Sequence, residues 1–134
     1  MRPIRIVAAL ALLVTLSVPA LPPSTGWANT LEPLVVGWER IFNLDWQVTD
    51  KGGRPVVSGY LVNDSPHIVT AIQLLIDALD ANGAIVRQNI GWAGAGAIQP
   101  FSRMYFELPA PRAAATYRVR VFAFDRIESK PKHH

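Results

Sequence analysis

The residues of this chain that could do chemistry are few, and their spacing works against them. There are three histidines, His67, His133 and His134, and no cysteine. Zinc asks for three or four donors held by a rigid frame, whereas His133 and His134 close a Lys-Pro-Lys tail. The expectation is no physiological metal and adventitious binding by the terminal pair. Asp80-Ala81-Asn82-Gly83 puts oxygen ligands ahead of a glycine, as a calcium loop does. Aligning Gly83 with that loop's fixed glycine leaves Ala78 and Asn89 where carboxylates are required, so a hairpin turn with Asp80 accepting backbone N–H bonds is the better reading. Nucleophilic catalysis needs a serine beside an oriented base. Ser58 and Ser102 fall in or beside extended segments, no Gly-x-Ser-x-Gly elbow occurs, and only His67, next to Pro66, is placed to act as a base. The carboxylate pairs Asp77/Asp80 and Asp125/Glu128 read as solvated edges. Asn63-Asp64-Ser65 has the form of a glycosylation acceptor, but Pro66 follows and a turn accounts for it. The chain is thus expected to be no enzyme, with no cofactor and no metal.

The elements that frame these residues begin with an address. Arg2 and Arg5 precede an apolar run from Ile6 to Val14, and small residues follow at Ala20 and Ala28. The run is shorter than the roughly 20 apolar residues of a membrane span. Residues 1–28 therefore read as a secretory signal peptide, with cleavage after Ala28 favoured over Ala20. Without a cysteine at the cleavage point there is no lipid anchor, and no disulfide can staple the product. Removing the leader takes away two arginines and no acid, leaving 11 basic against 10 acidic residues. The densest basic stretch left is Arg118 and Arg120, no footprint for nucleic acid. The 106 residues that remain fit one domain.

Residues 29–42 carry no sustained period and read as an N-terminal arm; 43–128 read as the domain and 129–134 as a disordered tail. Phe42 to Val48 is aromatic and β-branched, Asp50-Lys51-Gly52-Gly53 is a turn signal, and Pro55 to Asn63 follows as a returning strand. Asn82-Gly83 is a hairpin signal, which predicts a type I′ turn before Ile85 to Trp92. Met104, Phe106 and Leu108 alternate with Arg103, Tyr105 and Glu107. Tyr117, Val119, Val121 and Ala123 alternate with Arg118, Arg120, Phe122 and Phe124. Ile68 to Leu79 is ambiguous. Ile68, Ile72, Leu75 and Leu79 make a helical stripe, while Ile72, Leu74, Ile76 and Ala78 make one face of a strand.

A resemblance decides between them. Gly59-Tyr60-Leu61-Val62-Asn63, then Ile76-Asp77-Ala78-Leu79-Asp80 with Gly83, Tyr105-Phe106 and Tyr117-Arg118-Val119-Arg120-Val121 resemble, in order and spacing, the bacterial extracytoplasmic FxLYD-type, immunoglobulin-like domains. Of the Phe-x-Leu-Tyr-Asp signature only Asp80 is kept. The resemblance, over about Leu44 to Glu128, implies an all-β, antiparallel immunoglobulin-like sandwich of about seven strands and supplies no catalytic residues. Leu75 and Leu79 then lie on the second face of a strand and mark a contact surface if other apolar residues join them.

The expected function is a non-catalytic binding or interaction module, periplasmic or secreted. Its partner would be another envelope protein or a cell-surface component. The alternatives are a structural accessory subunit that contributes an edge strand to an envelope assembly and, last, a small hydrolase. The candidate surface is the outward row Arg118, Arg120, Phe122 and Phe124 beside Tyr105, since arginine and aromatics dominate interface energetics. Trp92, ahead of Gly94-Ala95-Gly96, reads first as a core residue and otherwise as a second candidate for gripping a partner, and Trp46 is expected to pack between the sheets.

Overall fold

A computed structural model describes residues 30–112 and 115–128. The leader, the two terminal histidines and the tail 129–134 lie outside the described residues. Six strands follow an arm and a short 3-10 turn, Trp38–Arg40. They are β1 (Phe42–Lys51), β2 (Arg54–Asn63), β3 (Ile68–Leu79), β4 (Ile85–Trp92), β5 (Arg103–Pro109) and β6 (Thr116–Ile127). Gly52 and Gly53 both take left-handed φ, 59° and 82°, so a two-residue turn pairs Lys51 with Arg54. At the next hairpin only Gly83 is left-handed, in place of the expected pair Asn82-Gly83. There Asp80 Oδ1 accepts the N–H groups of Asn82 (2.8 Å) and Ala84 (3.0 Å), and the side chain closes the turn.

The strands form two antiparallel three-stranded sheets, β1-β2-β5 and β4-β3-β6. Their inner faces share one core, with Val57, Leu61 and Phe106 from the first and Ile72, Leu74, Ile76 and Val121 from the second. This is an antiparallel β-sandwich in the immunoglobulin-like order A-B-E against C′-C-F. It has six strands among the described residues, in keeping with the expected number of about seven. Ile68–Leu79 is a strand. Its helical stripe arises because both faces are covered: Ile72, Leu74 and Ile76 enter the core while Leu75 and Asp77, on the other face, are also fully buried.

Local chemistry fixes the corners. Tyr117, at the start of β6, donates its hydroxyl to the Pro111 carbonyl at 2.6 Å, six residues upstream, the tyrosine corner of such sandwiches. Asn63, fully buried, donates Nδ2 to the carbonyls of His67, Ile98 and Gln99 and accepts from both Ser65 N–H and Ser65 Oγ. It ties the β2–β3 turn to the loop before β5, and the amide is fully used rather than open to a glycan. A Cβ on Gly59 would run into the Asp45 carbonyl oxygen, so the close approach of β1 and β2 there requires glycine.

Candidate functional site

The outer face of the β4-β3-β6 sheet holds the expected arginines, but in a closed setting. Arg118, Asp77 and Gln88 stand in register on β6, β3 and β4. Asp77 is 0% exposed. Its Oδ1 accepts from Gln88 Nε2 (2.8 Å), and its Oδ2 accepts from Arg118 Nε (2.9 Å) and Arg120 Nη2 (2.7 Å). A carboxylate at that depth is tolerable because charge and hydrogen bonds meet both oxygens. The arm completes the enclosure. Gln88 takes the Leu31 N–H on Oε1 (2.8 Å) and gives Nε2 to the Leu31 carbonyl (3.0 Å). Glu32 pairs with Arg120 Nη1 at 2.9 Å, and Leu34 N–H reaches the Phe122 carbonyl at 2.8 Å on β6. Between these anchors Leu75, whose neighbours are Ile90 and Arg120, is as buried as a core residue. The contact surface expected at Leu75 is therefore filled by the chain's own arm.

The outward row Arg118, Arg120, Phe122 and Phe124 is not one row. β3 and β6 lose register around Gln73, where Gln73 faces Ala123 and the next pair is Leu74 with Val121, so Phe122 is an extra residue. A bulge flips the alternation beyond it. Phe124 consequently points inward and packs edge-on against Phe42, with ring centroids 4.9 Å apart. Tyr105 is not beside that row either, because β5 belongs to the other sheet.

On the outer face of β1-β2-β5, Tyr105 stands next to Tyr60 with centroids 5.6 Å apart, and the Arg103 guanidinium lies 4.2 Å over the Tyr60 ring. Glu107 accepts from Lys51 Nζ (2.8 Å) and from the Tyr105 hydroxyl (3.2 Å). Those two hydrogen bonds, Lys51's first, hold the Glu107 carboxyl below its ordinary pKa, and the same bond raises Lys51. This is an exposed, internally paired surface. Trp46 is partly buried against the core rather than enclosed by it, and Trp38 packs there as well.

Trp92 is the expected candidate that the structure leaves open. It ends β4 opposite Gln73 and is 60% exposed. The following Ala93 turns inside, its N–H on the Ile72 carbonyl at 2.9 Å, and Ile98 bridges back to Val69. Gly91 and Gly94 allow that descent, since a Cβ on either would strike Leu108 or Met104. The indole is left as one wall of an open cleft of about 520 Å³ lined by Thr70, Ala71, Gly94, Ala95 and Gly96. Ala71 has φ 53°, a left-handed conformation that side chains rarely take. It falls in the irregularity between Thr70 and Gln73, and nothing in the local sequence announces it. Phe101, exposed and also left-handed at φ 58°, is another surface aromatic, and it has no sequence signal.

Among the described residues no group of three or more His, Asp or Glu is placed to hold a metal ion. Ser58 is buried, Ser102 Oγ donates to the Pro100 carbonyl, and the His67 N–H donates to Ser65 Oγ. Asp77 is spent on Arg118 and Arg120, and Asp80 on its turn. Asp125 and Glu128 lie at the exposed end of β6, where Glu128 pairs with Arg126 at 3.6 Å. No helix among the described residues is long and apolar enough to cross a membrane.

The chain matches no protein-family model. It likewise matches no curated protein. Among solved structures it is similar to the Northeast Structural Genomics Consortium target SoR45, at 10% identity and a TM-score of 0.33, over 69% of this chain and 93% of that one.

Proposed function

We propose that the protein is an exported, non-catalytic binding module of the cell envelope, periplasmic or secreted, which engages an envelope protein or cell-surface component through the Trp92 cleft. The observation that carries this reading is the exposed indole beside a cleft of about 520 Å³ with a strained alanine in its lining. Clefts of about 300–1,000 Å³ are the usual size of ligand sites, and tryptophan is the residue most enriched among interface hot spots. Strain of the Ala71 kind costs on the order of 1–3 kcal/mol and tends to cluster at functional sites. The leader pattern at residues 1–28 supports export. Membership of the FxLYD-type domains belongs to the same proposal, supported by the strand order, the Gly59 and Asn63 roles and the Tyr117 corner.

The test is chemical crosslinking in the intact envelope followed by identification of co-purified species, with Trp92→Ala against the unaltered chain. Loss of the partner from a normally folded and exported Trp92→Ala protein is the expected result. An unchanged partner set would remove the cleft from consideration.

A further inference from the structure

The seat of the arm is a recognition site for an extended segment of this chain, and its chemistry does not depend on which copy supplies the segment. Gln88 reads the backbone of one residue on both sides, taking the N–H and giving to the carbonyl of Leu31. Arg120 reads the acidic side chain that follows, Glu32. The Phe122 carbonyl, on the outer edge of β6, takes a third contact as a strand neighbour would, from Leu34 N–H. That edge is where an immunoglobulin-like sandwich places its last strand, and the described residues contain no seventh strand to fill it.

We propose that this seat exchanges its occupant, so that the arm of one copy docks on the β4-β3-β6 face of a second copy. The inference stands apart from the Trp92 cleft. Three observations favour a second copy as occupant. First, every contact made within one chain is available between two, so complementarity is guaranteed and only the connection has to change, the condition for swapping an element. Second, the connection is short and contains a hinge. Gly37 sits in a left-handed conformation, φ 86°, directly before the Trp38–Arg40 turn that leads into β1. Third, docking within one chain leaves the side chain next to the hinge out: Val36, directly before Gly37, is 98% exposed. An arm extended towards a neighbour brings that side chain and the hinge segments of both copies together.

The chain has no cysteine, which makes a disulfide test clean. Full chains carrying Leu34→Cys alone and Phe122→Cys alone are exported, purified, mixed at high concentration and oxidised. A disulfide forms only where the two positions come within adjacent-strand distance. The expected main product is the linked pair of one Leu34→Cys and one Phe122→Cys chain, well above the like-with-like products. Light scattering on the unaltered chain guards against a variant that misfolds, and here the expected result is a mass that rises from monomer to dimer with concentration. A unaltered chain that stays monomeric at every concentration, or a Leu34→Cys/Phe122→Cys double variant that closes only on itself while the mixture yields no linked pair, overturns the exchange.

Discussion

Two ends of one sheet face behave in opposite ways. Gln88 and Trp92 lie on the same side of β4, and Asp77 and Gln73 face them from β3. At the Asp77 end a buried carboxylate is met by two arginines and a glutamine, and the arm closes over Leu75. At the Gln73 end the arm meets the β6 edge, with Leu34 N–H on the Phe122 carbonyl, and on the opposite β4 edge the indole stands in solvent beside a cleft. Charge is thus not what this face leaves open to solvent at its Trp92 edge. The arginines that look available are spent holding the molecule together, and the free chemistry is apolar. A buried ion pair is costly to break and gives a partner nothing to hold, whereas an exposed aromatic beside a hollow costs little to keep and gains most when covered.

The largest expected effect is at the closed end. Asp77→Ala leaves Arg120 facing no buried carboxylate and should destabilise the domain by about 3–5 kcal/mol in urea unfolding. A loss below about 1 kcal/mol would mean that the network behaves as an exposed one. Leu75→Ala, on the same face, should cost about 2–4 kcal/mol, because the arm makes that position core-like. If it costs no more than a surface change, the arm does not cover it. Trp92→Ala should change stability by no more than about 0.5 kcal/mol, as surface positions do, while removing the partner. A core-sized loss would assign Trp92 to packing and erase the contrast.

The smallest effect belongs to the exposed Lys51–Glu107 pair on the other sheet. Its hydrogen bonds depress the Glu107 pKa, so its contribution is present above the ordinary glutamate range and is lost as pH falls through the lowered folded value. Lys51→Gln should move the Glu107 midpoint upward in an NMR titration with no measurable change in Tm. An unmoved midpoint would show that the Tyr105 hydroxyl, not Lys51, sets it.

How much of this is legible in the sequence differs between strands and side chains. Alternation and turn residues place β2, β4 and β5 almost to the residue, because Gly52-Gly53 and the 80–84 turn leave few registers open, whereas β1 runs three residues past the expected Val48 and takes Asp50 and Lys51 from the expected turn. Ile68–Leu79 is opaque to pattern because double-sided burial imitates a helical stripe. Phe124 is misread for a different reason. One extra residue at Phe122 reverses every side chain after it, and such a bulge arises from pairing between distant strands rather than from local residue types. The arginine row misleads because Asp77 lies 41 residues before Arg118, and nothing local links them. That Trp92 stands exposed follows a visible cue, a tryptophan before a Gly-Ala-Gly loop, although core packing fits the same cue. The Ala71 strain beside it has no such cue.

The contrast between the covered and the open part of this face is tested most directly by placing a photo-crosslinking phenylalanine analogue at position 92 and, separately, at position 122, whose carbonyl accepts the Leu34 N–H, in the exported chain and irradiating the intact envelope. Adducts to another molecule are expected from position 92 and, from position 122, adducts to residues 31–36 of this same protein. Foreign adducts from position 122 with none from position 92 would contradict that contrast.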